Sequence, residues 1–325
     1  MSTSTPRRNG RGPALAALGA IVSLGAVAGL VFWALHQEPP TFPHEPARLA
    51  ELAAAVALYL AACAARAERW FELLRYNGAR PRRADAYVLI AVAYAGNNVL
   101  PARAGDALRV MLLTPRARTD ARTVIGTVVA ERVHDVVVLV GLFVALAYGV
   151  LGGIEMPSAG RLLAAALLIG AVAALVGGAA LVLRRRGRLK RVIAYLAPMA
   201  EATRRLRGNH GRELLAWTLL VWSLEWVAWW LTARAAGLEL GVLEVGYLLG
   251  LASIFVMVPS GPGFVGTFDA AIVFGVRALG RSGTQALSFL LLLRFVVTVP
   301  ITLLGLFLVA TRYRGMAHIR GLVRA

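Results

Sequence analysis

The sequence predicts an all-α, polytopic integral membrane protein, a helical bundle that carries two oppositely oriented re-entrant hairpins. Three observations predict it. Long apolar runs recur along the chain, arginines gather at the ends of those runs, and two of the shorter apolar stretches are broken by proline and glycine beside polar residues. Of the 325 residues, 58% are hydrophobic and 16% are charged, whereas a soluble domain is nearer half apolar and a quarter charged. A net charge of +18 would suit nucleic acid if it lay on one soluble face. Here the basic residues sit where cytoplasmic loops attract them, so no nucleic-acid partner is expected.

Residues 1–12 form a basic tail with Arg7, Arg8 and Arg11. The apolar run Pro13–Leu35 is long enough to cross roughly 30 Å of hydrocarbon and too long for the core of a secretory signal. It reads as a retained first helix of a membrane domain covering residues 13–311. Further apolar runs lie at Leu49–Ala65, Ala86–Val99, Val124–Leu151, Leu162–Leu183, Leu214–Ala235, Val242–Val258, Phe264–Leu279 and Ala286–Ala310. The single cysteine, Cys63, and five scattered histidines give no disulfide, no CxxC and no HExxH, so no metal site and no cofactor is expected.

Arginine placement sets the orientation. The tail is inside, and the loop His36–Arg48, with Glu38 and Glu45, is outside. The stretch holding Arg66, Arg69, Arg75, Arg80, Arg82 and Arg83 is inside, and so are Arg116, Arg118 and Arg122. The segment between them must therefore leave and return on one face. Gly149–Gly160 is outside. The connector 184–212 is densely basic, and Leu189, Val192, Ile193, Leu196 and Met199 recur at helical spacing. That pattern suits an amphipathic helix on an anionic leaflet. The tail 312–325 is basic and inside, which leaves both termini cytoplasmic in a bacterial or archaeal inner membrane.

A second hairpin lies between Val242 and Leu279, broken at Val258-Pro259-Ser260-Gly261-Pro262-Gly263, and it enters from the outside. The halves 49–151 and 214–311 thus read as an inverted repeat. Paired Gly/Pro-broken segments of this kind point to a midplane binding site in transporters.

Four groups carry candidate chemistry. Glu131, Arg132, His134 and Asp135 sit inside a long apolar run, where each charge costs about 2.5–3.5 kcal/mol on insertion scales. Glu131 and Asp135 share a helix face, and Arg132 can pair with Asp135. The functional reading is a polar cavity, and the alternative is an ion pair that locks helices together. Arg294 lies deep in the last run and needs an anion, with Glu131, Asp135, Glu225, Asp269 or a lipid phosphate as candidates. The first break gathers Asn97, Asn98, Arg103, Asp106 and Arg109. The second offers Ser260, Thr267 and Asp269. Trp217, Trp222, Trp226, Trp229 and Trp230 on one run suit an interfacial belt.

The run Asn98-x-x-Pro101-x-Arg103-x-Gly105-Asp106-x-x-Arg109, then Glu131-Arg132-x-x-Asp135, then Pro259-x-Gly261-x-Gly263 resembles the flippase-like membrane domain of the lysylphosphatidylglycerol synthase transmembrane-region family. That family includes the N-terminal half of the multiple-peptide-resistance factor and the AglD-like proteins. The resemblance covers about Leu49 to Arg312, with Asp106 where many relatives have Glu. It implies a lipid-translocating module with membrane lipids as partners, without catalytic residues of its own. No soluble aminoacyl-transferase domain follows in this sequence, so aminoacylation is expected from a separately encoded lipid-synthesising enzyme. The implied substrate is an anionic or aminoacylated phospholipid or a polyprenyl-phosphate-linked lipid. An integral membrane enzyme acting on a lipid phosphate and a small-solute or ion transporter are the alternatives.

Overall fold

A computed structural model describes residues 31–100, 104–150, 209–256 and 262–313. The first helix, the run Leu162–Leu183, nearly all of the basic connector and the C-terminal tail lie largely or wholly outside the described residues, and so do Arg103 and Ser260. The described residues are helical and contain no strand. In chain order they form α1 (Pro46–Tyr76), α2 (Arg83–Val99), α3 (Ala104–Leu113), α4 (Ala121–Val150), α5 (Asn209–Ala235), α6 (Val242–Val256), a 3-10 turn (Pro262–Phe264), α7 (Thr267–Ala278) and α8 (Gly283–Arg312). Three of these, α1, α5 and α8, are long and apolar enough to cross a membrane.

The chain divides into two compact units, Met1–Cys63 with Val88–Arg109 and Ser223–Ala325, and Ala64–Tyr87 with Val110–Trp222. In the first unit, Ala55, Tyr59, Cys63, Ala91, Ala228, Val296 and Ile301 share one buried apolar cluster. Small residues let its backbones approach closely, as is common between membrane helices. A methyl group added at Gly305 of α8 would run into the Ala91 carbonyl and lie 2.6 Å from Ala95 Cβ. At Gly96 of α2 it would lie 2.7 Å from the Gly105 Cα of α3. The α2–α3 hairpin therefore packs backbone on backbone. In the second hairpin α6 packs on α7, with Leu248 and Leu251 closing over Gly275.

In the second unit, Leu73, Ala130 and Leu214 form a smaller apolar cluster with Tyr76 beside it. The apolar run that begins α1 ends at Ala65, yet the helix continues to Tyr76. Trp70, Leu73 and Leu74 are fully or almost fully buried on this extension, and Trp70 Nε1 donates to Thr127 Oγ1 of α4 at 3.1 Å. That burial carries the helix past the point where hydropathy alone would end it.

Candidate functional site

The second unit holds a buried charge cluster. Arg69 on α1 is 2% exposed, and its partners Glu131 and Asp135 on α4 are 4% and 5% exposed. Four residues apart on one helix, both carboxylates face the same side and meet one guanidinium. Arg69 Nη1 donates to Asp135 Oδ1 at 2.7 Å and Nη2 to Asp135 Oδ2 at 3.1 Å. Nη2 also donates to Glu131 Oε1 at 3.0 Å, and Nη1 to Thr218 Oγ1 of α5 at 2.9 Å. Trp222 Nε1 of α5 donates to Asp135 Oδ1 at 3.2 Å. Arg66, one turn before Arg69, lies over the Trp222 ring, 5.1 Å from its centroid. A bidentate guanidinium fork with every carboxylate oxygen of Asp135 engaged is the arrangement in which a buried ion pair is best compensated.

Arg132 reaches Asp135 only at 4.0 Å and is 43% exposed. Both carboxylates are hydrogen-bonded by Arg69, more than sixty residues earlier in the chain. Sequence placed Arg69 among the loop arginines that set topology. The signal that could have found it is the spacing of Arg66, Arg69 and Trp70 with Leu73 and Leu74, which continues a helical face beyond Ala65. His134 turns back on its own helix, with Nδ1 2.8 Å from the Ala130 carbonyl.

The first unit holds the second cluster, centred on Arg294 of α8. Its Nε donates to Asp269 Oδ1 at 2.6 Å, and Nη2 lies 2.6 Å from the same oxygen. Nη1 donates to the Gly263 carbonyl at 2.5 Å, and the guanidinium lies over the Phe268 ring at 4.7 Å. Asp269 also accepts from the Gly266 backbone N–H at 2.8 Å through its other oxygen. One carboxylate thus ties the start of α7 to Arg294. The turn between has three positive-φ residues, Gly263 (63°), Phe264 (57°) and Gly266 (95°). Two are glycines, which adopt this region freely. Phe264 does so at a cost, and local strain of this kind is held in place by its surroundings.

The end of α2 lies close by. A methyl group added at Gly263 would be 3.5 Å from the Asn98 carbonyl and 3.8 Å from Arg294 Nη1. Asn98 Nδ2 donates to Thr302 of α8 at 2.8 Å. The neighbouring Asn97 Oδ1 accepts from the Asp106 N–H of α3 at 3.3 Å. Asp106 pairs with Arg109 at 3.2 Å, and Arg109 is 1% exposed. Asn97, Asn98, Asp106, Arg109, Thr267, Asp269 and Arg294 thus belong to one unit, whereas Glu131, Arg132 and Asp135 belong to the other. Glu225 is buried in the first unit. Among the described residues no group of three or more His, Cys, Asp or Glu could hold a metal ion.

The model of the lysylphosphatidylglycerol synthase TM region matches residues 12–305. The glycosyltransferase AglD of Haloferax volcanii is 28% identical over 296 residues, covering 78% of this chain and 47% of the relative. The chain therefore spans about half the length of that protein. No solved structure matches it.

Proposed function

We propose that this chain, which belongs to the lysylphosphatidylglycerol synthase TM region family, moves a lipid between the two leaflets of the bilayer. The observation that carries the reading is the part-buried Arg294, which is tied to Asp269 and to the turn before α7 beside the end of α2. Gly263 accepts from Arg294 through its carbonyl and lies beside the Asn98 carbonyl at the end of α2. Non-helical backbone at membrane depth persists only where protein or a polar cavity satisfies it. In this reading α2–α3 and α6–α7 enter from opposite faces as an inverted repeat, and both termini face the cytoplasm.

The substrate is an anionic or aminoacylated phospholipid or a polyprenyl-phosphate-linked lipid. Arg294 offers a planar fork suited to phosphate, and its current acceptors are Asp269 and the Gly263 carbonyl. An arriving phosphate competes for those N–H groups and loosens the turn that they hold. Arg103 and Arg109 bind the same phosphate at the first break, with Asn97, Asn98, Ser260 and Thr267 as neutral partners. Glu131 and Asp135, in the other unit, balance charge there against Arg69 or take an amino group.

The test is headgroup accessibility in proteoliposomes, with fluorescent phosphatidylglycerol and a polyprenyl-phosphate analogue as probes. Wild type should accelerate exchange of at least one probe, Arg294→Ala should abolish it, and Arg132→Gln should retain most of it. Folded wild-type protein that exchanges neither probe would sink the proposal. A second reading, lipid-linked glycosyl transfer, draws on the name of the Haloferax volcanii relative. Product formed from a sugar nucleotide and a polyprenyl phosphate, without lipid exchange, would favour it.

A further inference from the structure

We propose that a phospholipid with a zwitterionic headgroup binds at the end of the bundle where α1 begins and α5 ends, its headgroup in a charged cavity and an acyl chain in an adjoining apolar groove. The cavity has a volume of about 610 Å³, within the range usual for small-molecule sites. Its charged wall is built by Glu45, Arg48 and Glu51 at the start of α1, Arg234 at the end of α5, and Glu239 in the link to α6. The groove, of about 350 Å³, is lined by Ser223, Trp226, Val227, Trp230 and Val242. Trp230 lines both hollows. A charged hollow and an apolar hollow that share one wall fit a molecule that is ionic at one end and hydrocarbon at the other. Tryptophan favours the level of the membrane where those two environments meet.

Charge complementarity selects the headgroup. Arg48 pairs with Glu45 at 3.3 Å, and Arg234 pairs with Glu51 at 2.6 Å. The exposed Glu239 leaves the lining with one carboxylate in excess. Two guanidinium groups suit a phosphate, and the surplus carboxylate suits an ammonium group. An anionic headgroup without an amine would leave Glu239 facing like charge, which is unfavourable.

The wall is also preformed. Arg234 lies over the Trp230 ring at 5.0 Å from its centroid. Gly237, at φ 68°, leaves room for Arg48, whose Nη1 would lie 2.6 Å from any Cβ placed there. Trp226 Nε1 donates to the Val242 carbonyl at 2.7 Å, joining the two sides of the groove. Its floor stays open, with Val227 45% and Val242 52% exposed. None of these residues contributes to the Arg294 cluster, and the site does not depend on lipid translocation.

Native mass spectrometry of the full chain tests the proposal, with phosphatidylethanolamine and phosphatidylglycerol of identical acyl chains as probes. Wild type should retain phosphatidylethanolamine about fivefold better, the size of one modest ionic contact. Glu239→Gln, at an exposed side chain, should bring the two lipids to equal retention. Val227→Trp, which fills the groove, should lower retention of both. Leu303→Trp, an exposed apolar position on α8, should change neither. Equal retention of the two lipids by wild type, or unchanged preference in Glu239→Gln, would overturn the assignment.

Discussion

Arg69 and Asp135 form a two-pronged ion pair, Nη1 to Oδ1 at 2.7 Å and Nη2 to Oδ2 at 3.1 Å, with both side chains almost wholly buried. Removing one partner strands the other charge away from water, which costs about 3–5 kcal/mol. Arg69→Gln and Asp135→Asn should each lower stability by that order in denaturant titrations in detergent. Arg132→Gln should cost less than about 1 kcal/mol, because Arg132 is 43% exposed and 4.0 Å away. Equal losses for Arg69→Gln and Arg132→Gln would contradict the geometry.

The α2–α3 contact makes a sharp contrast between two glycines. A methyl group at Gly105 meets the Ala93 carbonyl and sits 2.7 Å from Asn97 N, both backbone atoms that cannot swing aside. Gly105→Ala should cost more than about 2 kcal/mol. Gly141 in α4 has nothing within 4 Å of such a methyl, so Gly141→Ala should stabilise by about 0.5–1 kcal/mol through helix propensity. Thermal unfolding of the two variants in detergent decides the point.

Asp269 serves two donors, Arg294 and the Gly266 N–H. Asp269→Asn keeps one carbonyl acceptor and should weaken the turn less than Asp269→Ala, which leaves Arg294 and the Gly266 N–H no side-chain acceptor. Proteolysis rates at the 262–266 turn should rise in the order wild type, Asn, Ala. Rates for both variants no faster than wild type would show that the carboxylate does not hold the turn.

Asp120 caps α4, with Oδ1 accepting from the Thr123 N–H at 2.8 Å. Hydrogen bonding to Thr123 holds its carboxyl below the usual aspartate range. A depressed folded-state pKa means that the stabilisation is complete above the unfolded value and fades as pH falls through the folded one. Asp120→Ala should therefore cost about 0.5–1 kcal/mol at neutral pH, and the difference from wild type should close below about pH 3.9. A pH series of chemical denaturations tests the sign; a gap that widens on acidification would reverse it.

Much of the architecture was legible in residues taken one stretch at a time. The runs read as Val124–Leu151 and Ala286–Ala310 are the helices Ala121–Val150 and Gly283–Arg312. The helix ends moved by a few residues because caps such as Ser282, which accepts from Gln285 N at 3.2 Å, extend a helix beyond its apolar stretch. The apolar runs Val242–Val258 and Phe264–Leu279 correspond to α6 (Val242–Val256) and α7 (Thr267–Ala278).

What sequence alone determined is that this chain is a helical membrane protein with carboxylates and an arginine deep in apolar helices, since periodicity and the cost of an unpaired charge are local properties. The partners were a tertiary decision. Asp135 lies beside Arg132 in the chain but is held by Arg69, and Arg294 takes Asp269 from a list of five possible anions. Pairing depends on which helix faces meet, and that is set by close contacts such as Gly96 on Gly105 and Gly305 on Ala91. Gly305 and Ala91 are far apart in sequence, and even the nine-residue Gly96–Gly105 contact depends on how two helices pack, so no local pattern of hydropathy or charge encodes them.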